Sequence, residues 1–348
     1  MHHSEFGTVR EEPRPMSRED LTDSQWLAIE GIFKLLQSCA FRPFEVSSKD
    51  AQPQLVPQFD IQRWNQVFLI EGGRSSGKTA TLLTLLDALS HWHTRSNSKA
   101  RPGSLVSTPT VGENPRHLSA GNVCFVPLDV VNMRQCRADM HLALSFVGTF
   151  ANLAHELQRR FSSGFSGNRM SPSSSAYKTF RDAVSLGMAT SVPPAVSGEI
   201  LMHEIELQKV EAWRREVLPS FRRFVDALCE DYRDVVRVDI PLFIIPIEDA
   251  DMVRTTELLD LMTTFSHPRV AYVFTGDRKL LIHSLTRKFV EELGALEGES
   301  SALLSMQCAE AFLAKTVPYG QTFQLAPSID LVVHKTHGPE ARAKAEHQ

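Results

Sequence analysis

Several features that assign proteins to specialised classes are missing from this 348-residue sequence. It has only five cysteines, which are scattered and include no Cys-x-x-Cys pair. This pattern favours free thiols in a reducing compartment over a disulfide framework or a zinc site. No apolar run approaches the roughly 20 residues that a membrane helix needs, and the N-terminal segment lacks the apolar centre of a signal peptide. We therefore expect a cytoplasmic protein with no membrane partner.

A strong excess of charge is also missing, since the formal net charge is −4. This balance argues against a broadly basic nucleic-acid surface, although it does not exclude a local basic patch. The hydrophobic fraction of 42% and the charged fraction of 22% are ordinary for a globular protein. The length is sufficient for one large α/β domain or two smaller ones.

Apolar runs alternate with segments of helical periodicity along the chain. Runs typical of buried strands occur near residues 67, 123, 242, 270 and 323. A helix is predicted over residues 23–39, and Thr22 with Gln25 fits a capping box at its start. The alternation predicts an α/β fold in which helices cover both faces of a mostly parallel sheet.

Composition divides the chain into segments with different expected behaviour. We assign residues 1–20 to a flexible tail, 21–60 to an N-terminal helix and linker, 61–327 to the core, and 328–348 to a polar tail. Within the core, residues 129–240 are predicted to form a largely helical insertion, in which Pro219 would split one segment into two helices. Turn-forming residues predict an exposed loop over 94–120 and flexibility over 162–200.

Residues 72–79, GGRSSGKT, match the phosphate-binding pattern GxxxxGK[ST] without a gap. Glycines let the backbone N–H groups curl around a β-phosphate, and the following helix directs its positive end at the same anion. Lys78 would reach the β and γ oxygens, and the Thr79 hydroxyl would ligate Mg²⁺. The alternative is a glycine-rich turn with an incidental lysine, against which the flanking strand and helix argue. The candidate nucleotide-binding residues are Gly72, Gly73, Arg74, Ser75, Ser76, Gly77, Lys78, Thr79 and Thr81.

Acidic residues follow the apolar run near residue 242. Glu248, Asp249 and Asp251 end this predicted strand, where one carboxylate can hold Mg²⁺ and another can polarise water. The alternative is that these acids only end the strand and cap the next helix. We expect Glu248 and Asp249 to share the metal-binding and catalytic roles, with the division between them open. Glu248 stands where an aspartate is usual, which bears on hydrolysis more than on binding.

Polar residues also end the strand near residue 270. Thr275 is a candidate for orienting the attacking water or sensing a γ-phosphate, whereas Asp277 would equally serve as the N-cap of the next helix. An arginine finger usually comes from a neighbouring subunit. Arg287 and Arg278 on the following helix are positional candidates, of which we select Arg287. The alternative for each arginine is a solvated surface charge.

Four segments carry a resemblance to a known family: GGRSSGKT, EDAD, ELLDLMTTFSHPRVAYVFTGD and AEAFLAKTVPYGQTFQLAP. Together they resemble the AAA+/STAND-type P-loop NTPases, especially the KAP-like group, and the last two also resemble ATPase subunits of RADAR-type bacterial antiviral systems. The resemblance covers residues 60–327 in patches, and only the phosphate loop is highly specific. It implies a three-layer P-loop sandwich with five strands in the order 5-1-4-3-2. Since only a short polar segment follows Leu325, we expect no complete AAA+ lid: the sequence is either a fragment of a longer chain or a core that relies on neighbouring subunits.

The resemblance implies an ATPase that hydrolyses ATP with Mg²⁺ to drive oligomer assembly or remodelling, with antiviral defence as a candidate setting. The alternative is a nucleotide-dependent switch or scaffold with little or no hydrolysis, which Glu248 and the missing lid favour. The expected cofactors are ATP and Mg²⁺. The expected partners are further copies of the chain in a homo-oligomer and an effector protein.

Overall fold

The computed structural model describes residues 14–40, 66–91, 123–136, 142–164, 170–189, 199–236, 238, 240–252, 254–293 and 299–326. Its strands are β1 (Val67–Glu71), β2 (Val123–Pro127), β3 (Val131–Asn132), β4 (Ile240–Glu248), β5 (Val270–Gly276) and β6 (Thr322–Gln324). Its α-helices are α1 (Asp23–Ala40), α2 (Lys78–Ser90), α3 (Leu142–Gly164), α4 (Pro172–Ala189), α5 (Glu199–Asp231), α6 (Thr255–Thr264), α7 (Arg278–Leu293) and α8 (Glu299–Thr316).

The strands form one parallel sheet in the order β2-β4-β5-β1-β6, with β3 paired to β4. For the strands predicted from sequence, this is the expected order 5-1-4-3-2 taken from the opposite edge. The sheet has six strands rather than five. The additional strand is β3. The pairing of β2 with β4 ends at Pro127, and the chain pairs with β4 again four residues later, where Val131 lies opposite Ile247 and Asn132 opposite Glu248.

Helices cover both faces of this sheet, as the continuous apolar strands predict. Successive strand residues point to opposite faces, so Phe68 and Ile70 pack with α1 and α2. Val67 and Leu69 pack on the other face, where helices α3 to α8 lie. The arrangement is compatible with a three-layer sandwich.

Helix α1 begins with the predicted capping box. The Thr22 N–H donates to Gln25 Oε1 at 2.9 Å, and the Gln25 N–H donates to Thr22 Oγ1 at 3.2 Å. At the other end of the helix, Arg269 Nη1 donates to the carbonyl of Ala40 at 3.0 Å. The capping box therefore confirms the predicted start, and an arginine from the edge of β5 satisfies a carbonyl at the C-terminus.

Much of the segment predicted to be flexible is helical. Helix α3 continues to residue 164 and α4 covers 172–189, whereas 165–169 and 190–198 lie outside the described residues. Ser171 caps α4 by accepting a hydrogen bond from the Ser174 N–H at 3.2 Å, and Pro172 occupies the first helical position. Phe180 and Val184 are buried on one side of the helix. In the sequence, the serine-rich composition hid the four-residue spacing of these two apolar residues.

Helix α5 is also continuous, although Pro219 lies inside it, so the prediction of two helices was wrong. Val217 and Phe221 are buried on either side of the proline. Their packing stabilises the helix despite the hydrogen bond that a proline removes. Helix α8, which the sequence did not predict, packs Leu313 into the same core.

Part of the predicted N-terminal tail contacts the fold. The Met16 N–H donates to Thr84 Oγ1 on α2 at 2.8 Å, and the Arg18 guanidinium lies 4.5 Å from the centroid of the Trp26 ring. Residues 1–13, the linker at 41–65, the predicted loop at 94–120 and the segment after residue 326 lie outside the described residues. The expectations for the polar tail and the missing lid concern that last segment.

All five cysteines lie in the described residues and are free thiols, as predicted. Burial raises the pKa of the Cys229 thiol to about 12, so this group stays protonated at neutral pH. Among the described helices, none combines the length and apolar character needed to cross a membrane.

We predict that Phe180→Ala lowers the free energy of unfolding by about 3–5 kcal/mol. The Phe180 ring is buried, with its centroid 5.3 Å from that of Phe221 and 5.6 Å from that of Phe265. Urea denaturation followed by circular dichroism measures the loss, and the exposed Lys178→Ala on the same helix is the control. Equal stability of the two variants would show that α4 does not pack on this core.

Candidate functional site

The segment between β1 and α2 turns back over the carboxyl edge of the sheet. Gly77 precedes α2 with a φ of 81°, and Ser75 has a φ of 62°, so both lie in the left-handed region. No side chain caps α2. Because the first N–H groups of a helix have no acceptor within the helix, these donors are available to an anion.

Gly72 allows the start of this loop to approach its own later residues. A Cβ atom at position 72 would collide with the hydroxyl of Ser76. That hydroxyl is buried without a hydrogen-bond partner, and the Gly72 N–H donates to the carbonyl of Gly276 at 3.2 Å. The loop is therefore compact and attached to the end of β5.

Lys78 folds back over the loop. Its Nζ donates to the carbonyls of Gly72 at 2.6 Å and Gly73 at 3.0 Å. Arg74 and Ser75 are exposed at the tip of the loop. The side chain of Thr81, by contrast, is buried and donates to the carbonyl of Gly77 at 2.9 Å. Thr81 therefore stabilises the end of the loop through this hydrogen bond, and its side chain has no atom exposed to a ligand.

Glu248, at the end of β4, contacts Thr79 at the start of α2. Its Oε1 accepts a hydrogen bond from the Thr79 hydroxyl, and its Oε2 accepts one from Asn132 Nδ2 at 2.9 Å. Thr79 and Glu248 are 169 positions apart in the chain. The fold thus brings together Thr79 and Glu248, two of the three residues that the sequence predicted as metal ligands, and it adds Asn132 to the contact.

Asp249, the next residue, has a backbone φ of 56°. A left-handed conformation is strained for a residue with a Cβ, and such strain persists where surrounding contacts enforce it. Here the Asp249 N–H donates to Thr275 Oγ1 at 3.0 Å, and Oδ2 lies 2.6 Å from Arg134 Nε. The side chain of Asp249 therefore forms an ion pair with Arg134, separately from the contact between Glu248 and Thr79.

Thr275 positions Asp249 through the backbone. The threonine is only 1% exposed, and its carbonyl also accepts from the Ala250 N–H at 2.9 Å. Asp251 completes the connection by accepting from the Asp277 N–H at 2.8 Å. Asp277 Oδ1 in turn accepts from the Lys279 N–H at 2.9 Å, as the N-cap alternative predicted. Direct contact of Thr275 with water or phosphate stays a prediction.

The two candidate finger arginines, Arg278 and Arg287, lie on α7. Arg287 has an 80% exposed side chain, paired with Glu291 at 3.3 Å, and is about 14 Å along the helix from Arg278. The Arg278 guanidinium stacks 4.5 Å from the centroid of the Tyr319 ring. Burial raises the pKa of the nearby Glu71 carboxyl, an effect that the Arg278 charge opposes. Neither arginine contacts Glu248 or Asp249 among the described contacts.

Sequence reasoning missed Asn132, Arg134 and Gln25. Asn132 and Arg134 reach the acids because β3 returns to β4 after a break at residues 128–130; their polarity beside a predicted strand was the only available signal. Gln25 is 2% exposed, and its Nε2 lies where a Cβ atom on Gly77 would be. The capping box was visible in the sequence, but its contact with the loop was not.

The oxygen atoms of this site suit a magnesium ion shared with phosphate. Mg²⁺ prefers hydroxyl and carboxylate oxygens, and usually binds through one or two carboxylates together with waters and substrate phosphates. Thr79 and Glu248 supply such a pair. The described residues contain no group of three or more His, Cys, Asp and Glu side chains that would form an all-protein metal site.

No protein-family model matches this chain, and a search of curated proteins finds no relative.

We predict that Gly77→Ala destabilises the protein by at least about 1 kcal/mol, because alanine is disfavoured in the left-handed region and its Cβ would collide with Gln25. Gly73→Ala is the matched control, since a Cβ there meets nothing within 4 Å. Urea denaturation of both variants measures the difference. A Gly77→Ala variant as stable as Gly73→Ala would contradict the described loop geometry.

Proposed function

We propose that this protein is an ATPase that binds ATP through the loop at residues 72–79 and hydrolyses it with Mg²⁺. The observation that carries the proposal is the hydrogen bond from the Thr79 hydroxyl to the Glu248 carboxylate. It joins the residue that ends a phosphate-binding pattern to the acidic end of a neighbouring strand. This is the relationship between hydroxyl and carboxylate that metal-dependent phosphoryl transfer requires.

In this proposal the side chains of the site have separate roles. Lys78 exchanges the carbonyls of Gly72 and Gly73 for the β and γ oxygens of the nucleotide, and the N-terminus of α2 holds the β-phosphate. Thr79 and Glu248 hold Mg²⁺, which when bound supplies neutralisation of charge on the phosphate oxygens. Asp249 orients and polarises the attacking water, while Thr275 holds its backbone in place.

The proposal extends to fold and family. The strand order β2-β4-β5-β1-β6 and the position of the loop after β1 support a P-loop NTPase sandwich of the AAA+/STAND type, related to the KAP-like group. Membership of that group would make antiviral defence, as in RADAR-type systems, a candidate setting, with an effector protein as partner.

A second candidate function is a nucleotide-dependent switch or scaffold with little hydrolysis. The observation that favours it is the ion pair between Asp249 and Arg134, which occupies the carboxylate that hydrolysis needs. The glutamate at position 248, longer than the usual aspartate, is consistent with the same alternative. The two functions differ in phosphate release and share nucleotide binding.

We predict that Lys78→Ala weakens ATP binding, whereas Asp249→Asn retains binding and lowers phosphate release at least about 100-fold. The reason is that Lys78 contacts the phosphates and Asp249 acts on the water. Isothermal titration calorimetry and a phosphate-release assay measure the two effects, with Lys178→Ala as a control remote from the loop. If the wild type binds nucleotide but releases no phosphate in any oligomeric state, the ATPase proposal is excluded and the switch proposal remains. Failure to bind any nucleotide would exclude both.

We further propose that the active form is a homo-oligomer in which Arg287 serves a neighbouring subunit. Its 80% exposed side chain is accessible for such a contact. Light scattering is expected to show a larger mass with ATP and Mg²⁺ than without them, and Arg287→Ala is expected to lower phosphate release without changing nucleotide affinity. An unchanged monomer mass under both conditions would contradict this.

A further inference from the structure

Arg134 lies beside the candidate catalytic acid although the sequence did not single it out. We infer that Arg134 binds the terminal phosphate of the nucleotide and so acts as an arginine supplied from within the same chain. The inference rests on the proposed function. It differs from the role given to Arg287, which would come from another subunit.

The backbone around Arg134 is held firmly against β4. The Met133 N–H donates to the carbonyl of Glu248 at 3.1 Å. The side chain of Asn132 accepts from the Arg134 N–H at 3.0 Å and donates to Glu248 at 2.9 Å. Asn132 therefore connects the backbone of Arg134 to the carboxylate that contacts Thr79.

The guanidinium of Arg134 contacts Asp249 through only one of its three nitrogens. Its Nε lies 2.6 Å from Asp249 Oδ2, while the side chain is 60% exposed. The two Nη nitrogens have no acceptor among the described residues, and their exposure makes them accessible to a ligand. An arginine can therefore keep its contact with Asp249 and donate to a phosphate oxygen at the same time.

The position of the guanidinium favours the terminal phosphate over the inner ones. Glu248 accepts from Thr79, the residue that would ligate the metal on the β and γ oxygens, and Asp249 follows Glu248 directly. The cation on Asp249 is thus paired with the residue next to the carboxylate that contacts Thr79, and the proposed function puts the metal and the γ-phosphate beside that carboxylate.

Charge balance leads to the same assignment. Glu248 and Asp249 present adjacent carboxylates to a polyanion, and their repulsion of the γ-phosphate is strong at short range. Arg134 is the arginine that forms an ion pair with one of these acids among the described residues. Arginine is also the side chain best suited to planar, bidentate recognition of phosphate.

Binding of a triphosphate and a diphosphate to the same variants tests the inference. We would measure the dissociation constants of a non-hydrolysable ATP analogue and of ADP, both with Mg²⁺, for the wild type, Arg134→Ala and Arg134→Lys. Arg134→Ala is expected to weaken the triphosphate about tenfold to a hundredfold and to change ADP affinity less than about twofold. Arg134→Lys, which keeps the charge but not the fork of donors, is expected to lie between.

Arg181→Ala is the control, because the Arg181 side chain is exposed on α4 and pairs at 3.0 Å with the exposed Asp182. If Arg134→Ala lowers the unfolding temperature, Arg134→Gln carries the test, since it retains a donor for Asp249. Equal changes for both nucleotides, no change, or tighter triphosphate binding would overturn the inference while leaving the proposed function in place. A wild type that binds neither nucleotide would overturn the proposed function itself.

Discussion

The hydrogen bond between Thr79 and Glu248 joins the two halves of the candidate site, and the rest of the site depends on it. Thr79 follows β1, whereas Glu248 ends β4, and β5 lies between these strands in the sheet. The side chains therefore meet across an intervening strand at the carboxyl edge. The contact consequently requires the parallel arrangement of all three strands, since only then do their carboxyl ends share one edge.

Hydrogen bonds between the ends of β4 and β5 maintain that edge. Thr275 accepts from the backbone of Asp249 and of Ala250, and Asp251 accepts from the backbone of Asp277. These contacts hold Asp249 in its left-handed conformation, whose cost they offset. The strained backbone of Asp249 is thus a consequence of the hydrogen bonds between the ends of β4 and β5. In this conformation the Asp249 carboxylate pairs with Arg134. On this side of the site the polar groups are hydrogen-bonded to the backbone at the ends of the two strands.

How much was predictable differs between the fold and the site. Strands near 67, 242 and 270 were identified because buried parallel strands carry uninterrupted apolar residues. Helix α4 was missed because serine-rich composition indicates loops, while the burial of Phe180 depends on neighbours that are distant in sequence. In the site, Lys78, Thr79 and Glu248 were recognised by pattern and spacing. Asn132 and Arg134 were not, because their contacts arise from the break between β2 and β3.

The sequence by itself determined the GGRSSGKT segment at residues 72–79, the acids that end β4, the capping box at Thr22, and the alternation of strands and helices. Each of these depends on residues close together in the chain, so local spacing carries the information. Only the tertiary structure decided that Glu248 faces Thr79, that Asp249 faces Arg134, and that Thr275 supports a backbone. Those contacts join residues far apart in sequence, and a parallel sheet brings them together through strand order and register, which no short segment specifies.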